Sequence, residues 1–430
     1  MAGVTNKLLA ISWVMPPLVF PRSIQVARLL KALGERGWET TVVTVLPDAE
    51  PNELKDRRLA DVHSGWYVLR QVDVREEATP RWLRLWRRLR PPGDLAVANW
   101  LLRGGSAARR ELARNAPNVL VTFAQPWADH LLGLRLKRRS PALPWVAHFS
   151  DPWVDSPYLQ FASLEQETRV RRQERDVIST ADAVVFVTQQ TADLVMAKYP
   201  DAWRSKVAIV GHAYDEDLLG LLSPIAAPPG KFRVVHTGNF YGKREPLALF
   251  DALAALVKRP EVREHLEVEF IGYTAAEAVA KARDLGLENA VVFRGRTPYV
   301  ESLEAAVTAD LLLLIDAPAE HSVFLPSKIV DYLMLKRPIL GLTPASGASA
   351  EVLRSQGHPI VSPDNAHAIE IALFAAFERW RARAGATAIP EKAGVEQFDV
   401  HHVVREFEYV LGRVQAGERA VRSPRKQLVV

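Results

Sequence analysis

Between Phe324 and Leu333 the chain reads FLPSKIVDYL, which sets a serine, a lysine and a carboxylate within five residues, Ser327 to Asp331. The apolar run ADLLLLIDAP precedes it, with the length and bounds of a buried parallel strand. Pro326 and Ser327 then suit a helix start, with Ser327 as N-cap. Unpaired backbone N–H groups at such a start, beside Lys328, would attract a phosphate-bearing anion. Asp331, one turn later, could accept a hydrogen bond from a sugar hydroxyl. Phosphate and sugar recognition together point to a nucleotide sugar.

A second group is His236-Thr237-Gly238-Asn239 followed by Gly242-Lys243-Arg244. Gly238 and Asn239 would let backbone approach a phosphate closely. Lys243 or Arg244 could neutralise a diphosphate leaving group, where negative charge grows during glycosyl transfer. The plainer alternative is a surface turn with solvated charges. Further back, His148-Phe149-Ser150-Asp151-Pro152-Trp153 follows an apolar strand. An imidazole (His148) and a carboxylate (Asp151) at a strand's carboxyl end suit polar contact with a transferred sugar, although a lone histidine is more often structural. Arg22, in Phe20-Pro21-Arg22-Ser23, stands at a helix start, where it could bind phosphate or acceptor or remain an exposed surface charge. Asp215-Glu216-Asp217 has the D-x-D form of a metal site. It lies near a linker rather than at a strand end, so it reads as helix-capping acidity, and no metal is expected.

The segment RWLRLWRRLR, residues 81–90, is basic and amphipathic. On a helix, Trp82, Leu85, Trp86 and Leu89 share one face, and Arg84, Arg87 and Arg88 lie opposite with Arg81. That composition fits a helix in an anionic membrane interface, or an ordinary surface helix packed on its domain. No recognition fold accompanies the arginines, so nucleic acid is not an expected partner.

These residues need a scaffold. The 430-residue chain is 48% hydrophobic and 24% charged with net charge +5, the make-up of a folded two-domain protein that favours acidic partners. It holds no cysteine, which excludes disulfides and thiolate metal sites and is compatible with the cytoplasm. No run approaches a bilayer-spanning length. Leu8–Phe20, broken by prolines, reads as a buried first strand and loop rather than a signal peptide. Strands are expected at Leu8–Val14, Thr40–Val45, Val119–Phe123, Trp145–Phe149, Ala183–Val187 and Val207–Val210. A helix is expected from about Ser23. After a Pro/Gly-rich linker the pattern restarts with FRVVH, LEVEFIG, VVFRG, LLLLI and ILGL, each followed by helix or turn. The reading is α/β, with domains at 1–216 and 232–394, a linker at 217–231, a terminal helix at 395–414 and a basic tail at 415–430. Ligands in such sheets sit beyond the carboxyl ends of the strands.

The opening strand and helix, HFSDPW, HTGNFYGKREP, and PSKIVDYL with RPI, in this order along the chain, resemble GT-B glycosyltransferases of bacterial glycosyltransferase family 4 over about residues 7–385. The family often reads P-S-K-x-x-[ED]-Y-L. Its acidic pair is spaced E-x7-E; Asp331 fits the second position, and Val323 occupies the first. The resemblance implies two Rossmann-like domains facing each other across a cleft, with the nucleotide sugar on the second and the acceptor on the first. It implies retention at the anomeric carbon, no metal and no further cofactor. Pro326, Ser327, Lys328, Asp331, Gly238 and Asn239 would bind donor, Gly295 would lie in a loop by the base, and Lys243 or Arg244 would serve the leaving group. A last helix would cross back to the first domain. The implied function is sugar transfer to a glycan or lipid-linked acceptor in surface polysaccharide synthesis, by a cytoplasmic enzyme peripheral to the membrane. The alternatives are a nucleotide-sugar 2-epimerase on the same fold or a non-catalytic binding protein.

Overall fold

The computed structural model describes residues 6–49, 54–75, 94–225, 229–240, 244–383 and 395–418. The chain forms two compact units, one of residues 1–213 with 400–429 and one of residues 214–399.

The first unit is built on seven parallel strands: β1 Lys7–Ile11, β2 Glu39–Val45, β3 Val68–Val72, β4 Val119–Ala124, β5 Trp145–Phe149, β6 Ala183–Phe186 and β7 Val207–Ile209. Their order is β3-β2-β1-β4-β5-β6-β7. Side chains alternate across a strand, so β1 sends Leu9 and Ile11 into one core and Leu8 and Ala10 into the other. Every residue of β4 is buried, as expected of a central parallel strand covered on both faces. The first helix runs Pro21–Glu35. Pro21 takes the position where its missing N–H costs nothing, and the Ser23 hydroxyl accepts from the Phe20 N–H at 3.0 Å. The terminal helix Val400–Gln415 packs Val403, Phe407, Val410 and Leu411 into the core that holds Leu8, Val121 and Phe123. Strand β3 was not expected. Its sequence VLRQV sets Arg70 and Gln71 between apolar residues and leaves all but Val72 exposed or part-exposed, so it lacks the apolar run that marks the central strands.

The second unit holds β8 Phe232–Thr237, β9 Leu266–Ile271, β10 Val291–Gly295, β11 Leu311–Ile315, β12 His321–Ser322, β13 Ile339–Leu342, β14 Ser346–Gly347 and β15 Ile360–Val361. The main sheet has the order β10-β9-β8-β11-β13-β15, and β12 pairs with β14. The order reverses between β1 and β4 in one unit and between β8 and β11 in the other. Neighbouring loops diverge at such a point and leave a crevice beyond the strand ends, the general ligand position in open α/β sheets. Beneath it, Arg233 of β8 is buried with Glu269 of β9, to which it donates, and Arg294 of β10 pairs with the same carboxylate. Arg233 also donates to the Ala305 carbonyl at 3.1 Å. The network ties three strands through one buried charge set.

Candidate functional site

In the second unit, β8 and β9 end in glycines of positive φ, Gly238 at +126° and Gly272 at +138°. The Gly238 N–H donates to the Ile271 carbonyl and the Gly272 N–H to the Gly295 carbonyl, each at 2.7 Å. A Cβ on Gly272 would overlap the Gly238 carbonyl, and one on Gly238 would overlap Lys328 Nζ. Glycine is therefore required twice, for backbone conformation and for the close approach of a lysine. The Asn239 side chain accepts from the Tyr273 N–H at 2.8 Å, bracing the two loops.

Lys328 opens the short helix Lys328–Met334. The expected cap is absent: Ser327 is itself helical, at φ −60° and ψ −25°, and its hydroxyl makes no capping bond. Pro326 supplies the turn instead, its carbonyl accepting from the Ile329 N–H at 3.0 Å. Tyr332 fixes the helix to the sheet, accepting from the Thr237 N–H at 2.8 Å. Lys328 Nζ lies 3.4 Å from His236 Nε2. The other ring nitrogen, Nδ1, is 2.9 Å from the Leu313 carbonyl. A carbonyl only accepts, so Nδ1 carries the proton and Nε2 offers its lone pair to Lys328. Burial holds the His236 pKa well below its usual range, with the Lys328 charge acting the same way. His236 is a neutral acceptor.

Burial lowers the Lys328 pKa to about 7; the Arg244 charge adds to the fall, and Asp316 and Asp331 oppose it. Arg244 acts electrostatically on both Lys328 and His236. The pocket thus gathers two cations, a neutral imidazole and glycine backbone at the switch point of the sheet. Such a group can take up an anion in a partly dehydrated setting, which strengthens each contact. Asp331 is buried at 5% exposure in the helix interior. Asp316, one residue beyond β11, is also buried, and the Thr343 hydroxyl donates to it at 2.8 Å.

The first unit gathers a second group. Arg22, read from the sequence as either a phosphate or acceptor ligand or an exposed charge, is buried. Its Nη2 lies 3.0 Å from His148 Nδ1 and donates to the His148 carbonyl at 2.8 Å, while the guanidinium covers the Phe123 ring at 5.3 Å. The first helical turn points this side chain into the sheet end, where aromatic and imidazole partners replace water. Burial lowers Arg22 to about 10, against the opposing charges of Asp151 and Asp129, so it stays charged at neutral pH. A guanidinium only donates, so His148 Nδ1 accepts and Nε2 carries the proton. Burial, then the Arg22 charge, keep His148 neutral. Asp151 accepts from the Ser150 hydroxyl at 2.7 Å and from Gln125 Nε2 at 3.4 Å. Trp153 stacks on Trp127 with centroids 4.9 Å apart and 7° between planes, which pins the HFSDPW loop. Asp129 lies below, accepting from the Trp13 N–H at 2.8 Å and Trp100 Nε1 at 2.7 Å. Burial raises its pKa to about 8.

Lys328, Gly238 and His236 therefore meet, with Arg244 acting on their charge, and Arg22 and His148 meet, with Asp151 acting on the charge of Arg22. Gly295 contributes its carbonyl to the loop ladder. Lys243, Trp82, Arg84, Trp86, Arg87 and Arg88 lie outside the described residues. Sequence reading missed His236 as an acceptor, Asp316, Gly272 and Asp129. The first three had a usable signal, their position at or just past a strand's carboxyl end; Asp129 had none. Asp215 accepts from the Asp217 N–H at 3.1 Å and caps the turn Glu216–Leu221.

Residues 23–211 match the model of a glycosyl transferase 4-like domain. No curated protein matches the chain. Among solved structures, the sucrose-phosphate synthase of Thermosynechococcus elongatus superposes with TM-score 0.66 at 15% identity, covering 96% of this chain and 100% of that one. A putative UDP-N-acetylglucosamine 2-epimerase from Listeria monocytogenes gives TM-score 0.61 at 12% identity, covering 97% and 99%. WaaG, a glycosyltransferase involved in lipopolysaccharide biosynthesis, gives 0.56 at 14% identity, covering 91% and 99%. At these identities the likeness is one of fold: two Rossmann-like units of the GT-B type.

Proposed function

We propose that this chain, whose residues 23–211 match a glycosyl transferase 4-like domain and whose two units have the GT-B fold, is a glycosyltransferase that moves a sugar from a nucleotide diphosphate sugar, bound by the second unit, to a glycan or lipid-linked acceptor bound by the first. The observation that carries this reading is the Lys328 amine, packed part-buried against Gly238 beside neutral His236, with Arg244 close enough to act on its charge. As the sugar–phosphate bond breaks, charge grows on the diphosphate. An ammonium already positioned against the glycine backbone stabilises it without rearranging. Asp331 serves the ribose, and Ser327 and Pro326 shape the turn beside the phosphates. In the first unit, Nε2–H of His148 and the Asp151 carboxylate hold hydroxyls of the transferred sugar. The anomeric configuration is retained. Protein cations do the work of a metal, and the setting is surface polysaccharide synthesis at the inner face of the plasma membrane.

Release of free UDP or GDP is expected only when acceptor is added, and it should persist in EDTA. Loss of turnover on chelation with recovery on magnesium or manganese would overturn the metal-free mechanism. Conversion of UDP-N-acetylglucosamine to its 2-epimer would identify an epimerase instead. Absence of turnover with retained binding would leave a binding protein.

Donor affinity should depend on pH through Lys328. Its free pKa is about 7, and a bound diphosphate raises it, since an opposite charge favours the ammonium. Binding then takes up a proton. Affinity is steady below pH 7 and falls above it, by up to about tenfold per pH unit until the bound value is reached. Calorimetry in buffers of different ionisation heat checks the uptake. A flat affinity between pH 6 and pH 9 counts against a titrating Lys328.

Membrane attachment is supported by the composition of residues 81–90. Wild-type protein should sediment with anionic but not neutral vesicles, and replacing Arg84, Arg87 and Arg88 by Glu should release it, because each arginine near the surface contributes about 1 kcal/mol. Equal recovery with both vesicle types would remove this element.

A further inference from the structure

Strand β3 is the outermost of its sheet among the described strands. Along it runs a groove of about 700 Å³, walled on one side by Leu69–Asp73 and on the other by Arg103 and the helix Gly105–Asn115. This volume lies within the range of small-molecule sites, about 300–1,000 Å³. Four arginines line it, Arg70, Arg103, Arg110 and Arg114, against two carboxylates, Asp73 and Glu111. The carboxylates are already engaged. Glu111 pairs with Arg70 at 3.0 Å and lies 3.9 Å from Arg114, and Asp73 pairs with Arg75 at 2.8 Å. Arg110 is exposed and makes no ion pair or hydrogen bond among the described residues. Arg110 and Arg114 are four residues apart in one helix, so they share a face one turn apart. The groove presents a net positive, fork-shaped donor set of the kind that matches carboxylate or phosphate.

We infer that this groove is a secondary binding site for an anionic glycan, a chain bearing carboxylate or phosphate groups, separate from the reacting centre. The inference rests on the glycosyltransferase reading, because that reading makes a growing glycan the acceptor. Three features choose this occupant. The wall is concave and rich in arginine, unlike the flat apolar face a lipid surface needs. Among the described residues no aromatic side chain lines it, so there a nucleic-acid base has nothing to stack on. The outer edge of a terminal strand offers backbone N–H and C=O groups that sugar hydroxyls can meet. The groove lies at β3 and the His148–Asp151 loop follows β5, four strand steps away in the sheet order, or about 19 Å at about 4.8 Å per step. A chain held in the groove is tethered beyond its reacting end, which raises the local concentration of that end.

The test measures binding of fluorescent polygalacturonate oligomers, with neutral dextran oligomers, poly-U RNA, polyglutamate and phosphatidylglycerol vesicles as comparison probes. The proteins are wild type, R110E/R114E, and the charge-matched R135E/R139E, which alters exposed arginines of a different helix. The groove variant should lose at least tenfold in affinity for polygalacturonate while the control variant stays within threefold of wild type. Equal loss in both variants, no loss in the groove variant, or a groove-dependent preference for RNA, polyglutamate or vesicles over the glycan would overturn the inference. UDP-sugar binding by thermal shift is read in parallel. If it is present while the glycan result fails, the groove assignment falls and the transferase reading stands. If it is absent in wild type, the transferase reading falls instead.

Discussion

Replacing Lys328 by Met is expected to lower kcat by two to three orders of magnitude, the usual loss when one preorganised charge donor to a developing anion is removed, about 10²–10³-fold. Donor affinity should fall as well, and the remaining binding should lose its dependence on pH between 6 and 9. Lys328→Arg should not restore turnover. The amine sits where a Cβ on Gly238 would overlap it, and the larger planar guanidinium has no room there. The fold should persist, because removing a buried charge relieves desolvation and the neutral His236 loses only one weak contact at 3.4 Å. Steady-state kinetics with a thermal-shift control decides the matter. A K328M enzyme within threefold of wild type would remove the lysine from the chemistry and move the search to Arg244.

Arg233→Met is expected to destabilise the second unit by about 3 kcal/mol, the lower end of the cost of breaking a buried ion pair. Arg233 is 1% exposed and Glu269 is 2% exposed, so the abandoned carboxylate cannot be hydrated. Arg294 still pairs with it, which keeps the loss from the upper end. In a unit of this size the melting midpoint should drop by about 6–12 °C. Removing the partner too, as R233M/E269L, should recover much of the loss, because an apolar pair replaces a pair that must be desolvated. Calorimetry of the single and double variants reports the coupling. A double variant no better than the single would mean that Arg233 acts through its bond to the Ala305 carbonyl rather than through Glu269. Because β8 carries His236 and Gly238 at its end, R233M should also weaken donor binding at temperatures well below the transition.

The sequence by itself carried whatever depends on neighbours along the chain. Apolar runs such as LLLLI and VLVTF mark central parallel strands, since both faces must be covered. The glycine after FRVVHT and the prolines at 21 and 326 mark where strands stop and helices begin, because backbone geometry at those residues is set locally. That was enough for two successive α/β units and for Lys328 beside a helix start. Strand β3 escaped notice because four of its five residues meet solvent, and the Ser327 cap was misread because Pro326 had already made the turn.

Tertiary structure alone decided the chemistry of each group. His236 and Lys328 are 92 residues apart, and Arg22 and His148 are 126 apart. No periodicity links them; strand order does, by bringing the ends of β8 and β11, and of β1, β4 and β5, to shared edges. Charge state is equally non-local. An exposed lysine and one pressed against a glycine backbone have the same letter in the sequence, but burial takes Lys328 to about 7. The same holds for Arg22, whose place at a helix start left a ligand role and a solvated charge both open, and which is a buried donor that fixes the tautomer of His148. Desolvation depends on what the rest of the chain removes from water, so it becomes visible only once the fold is complete.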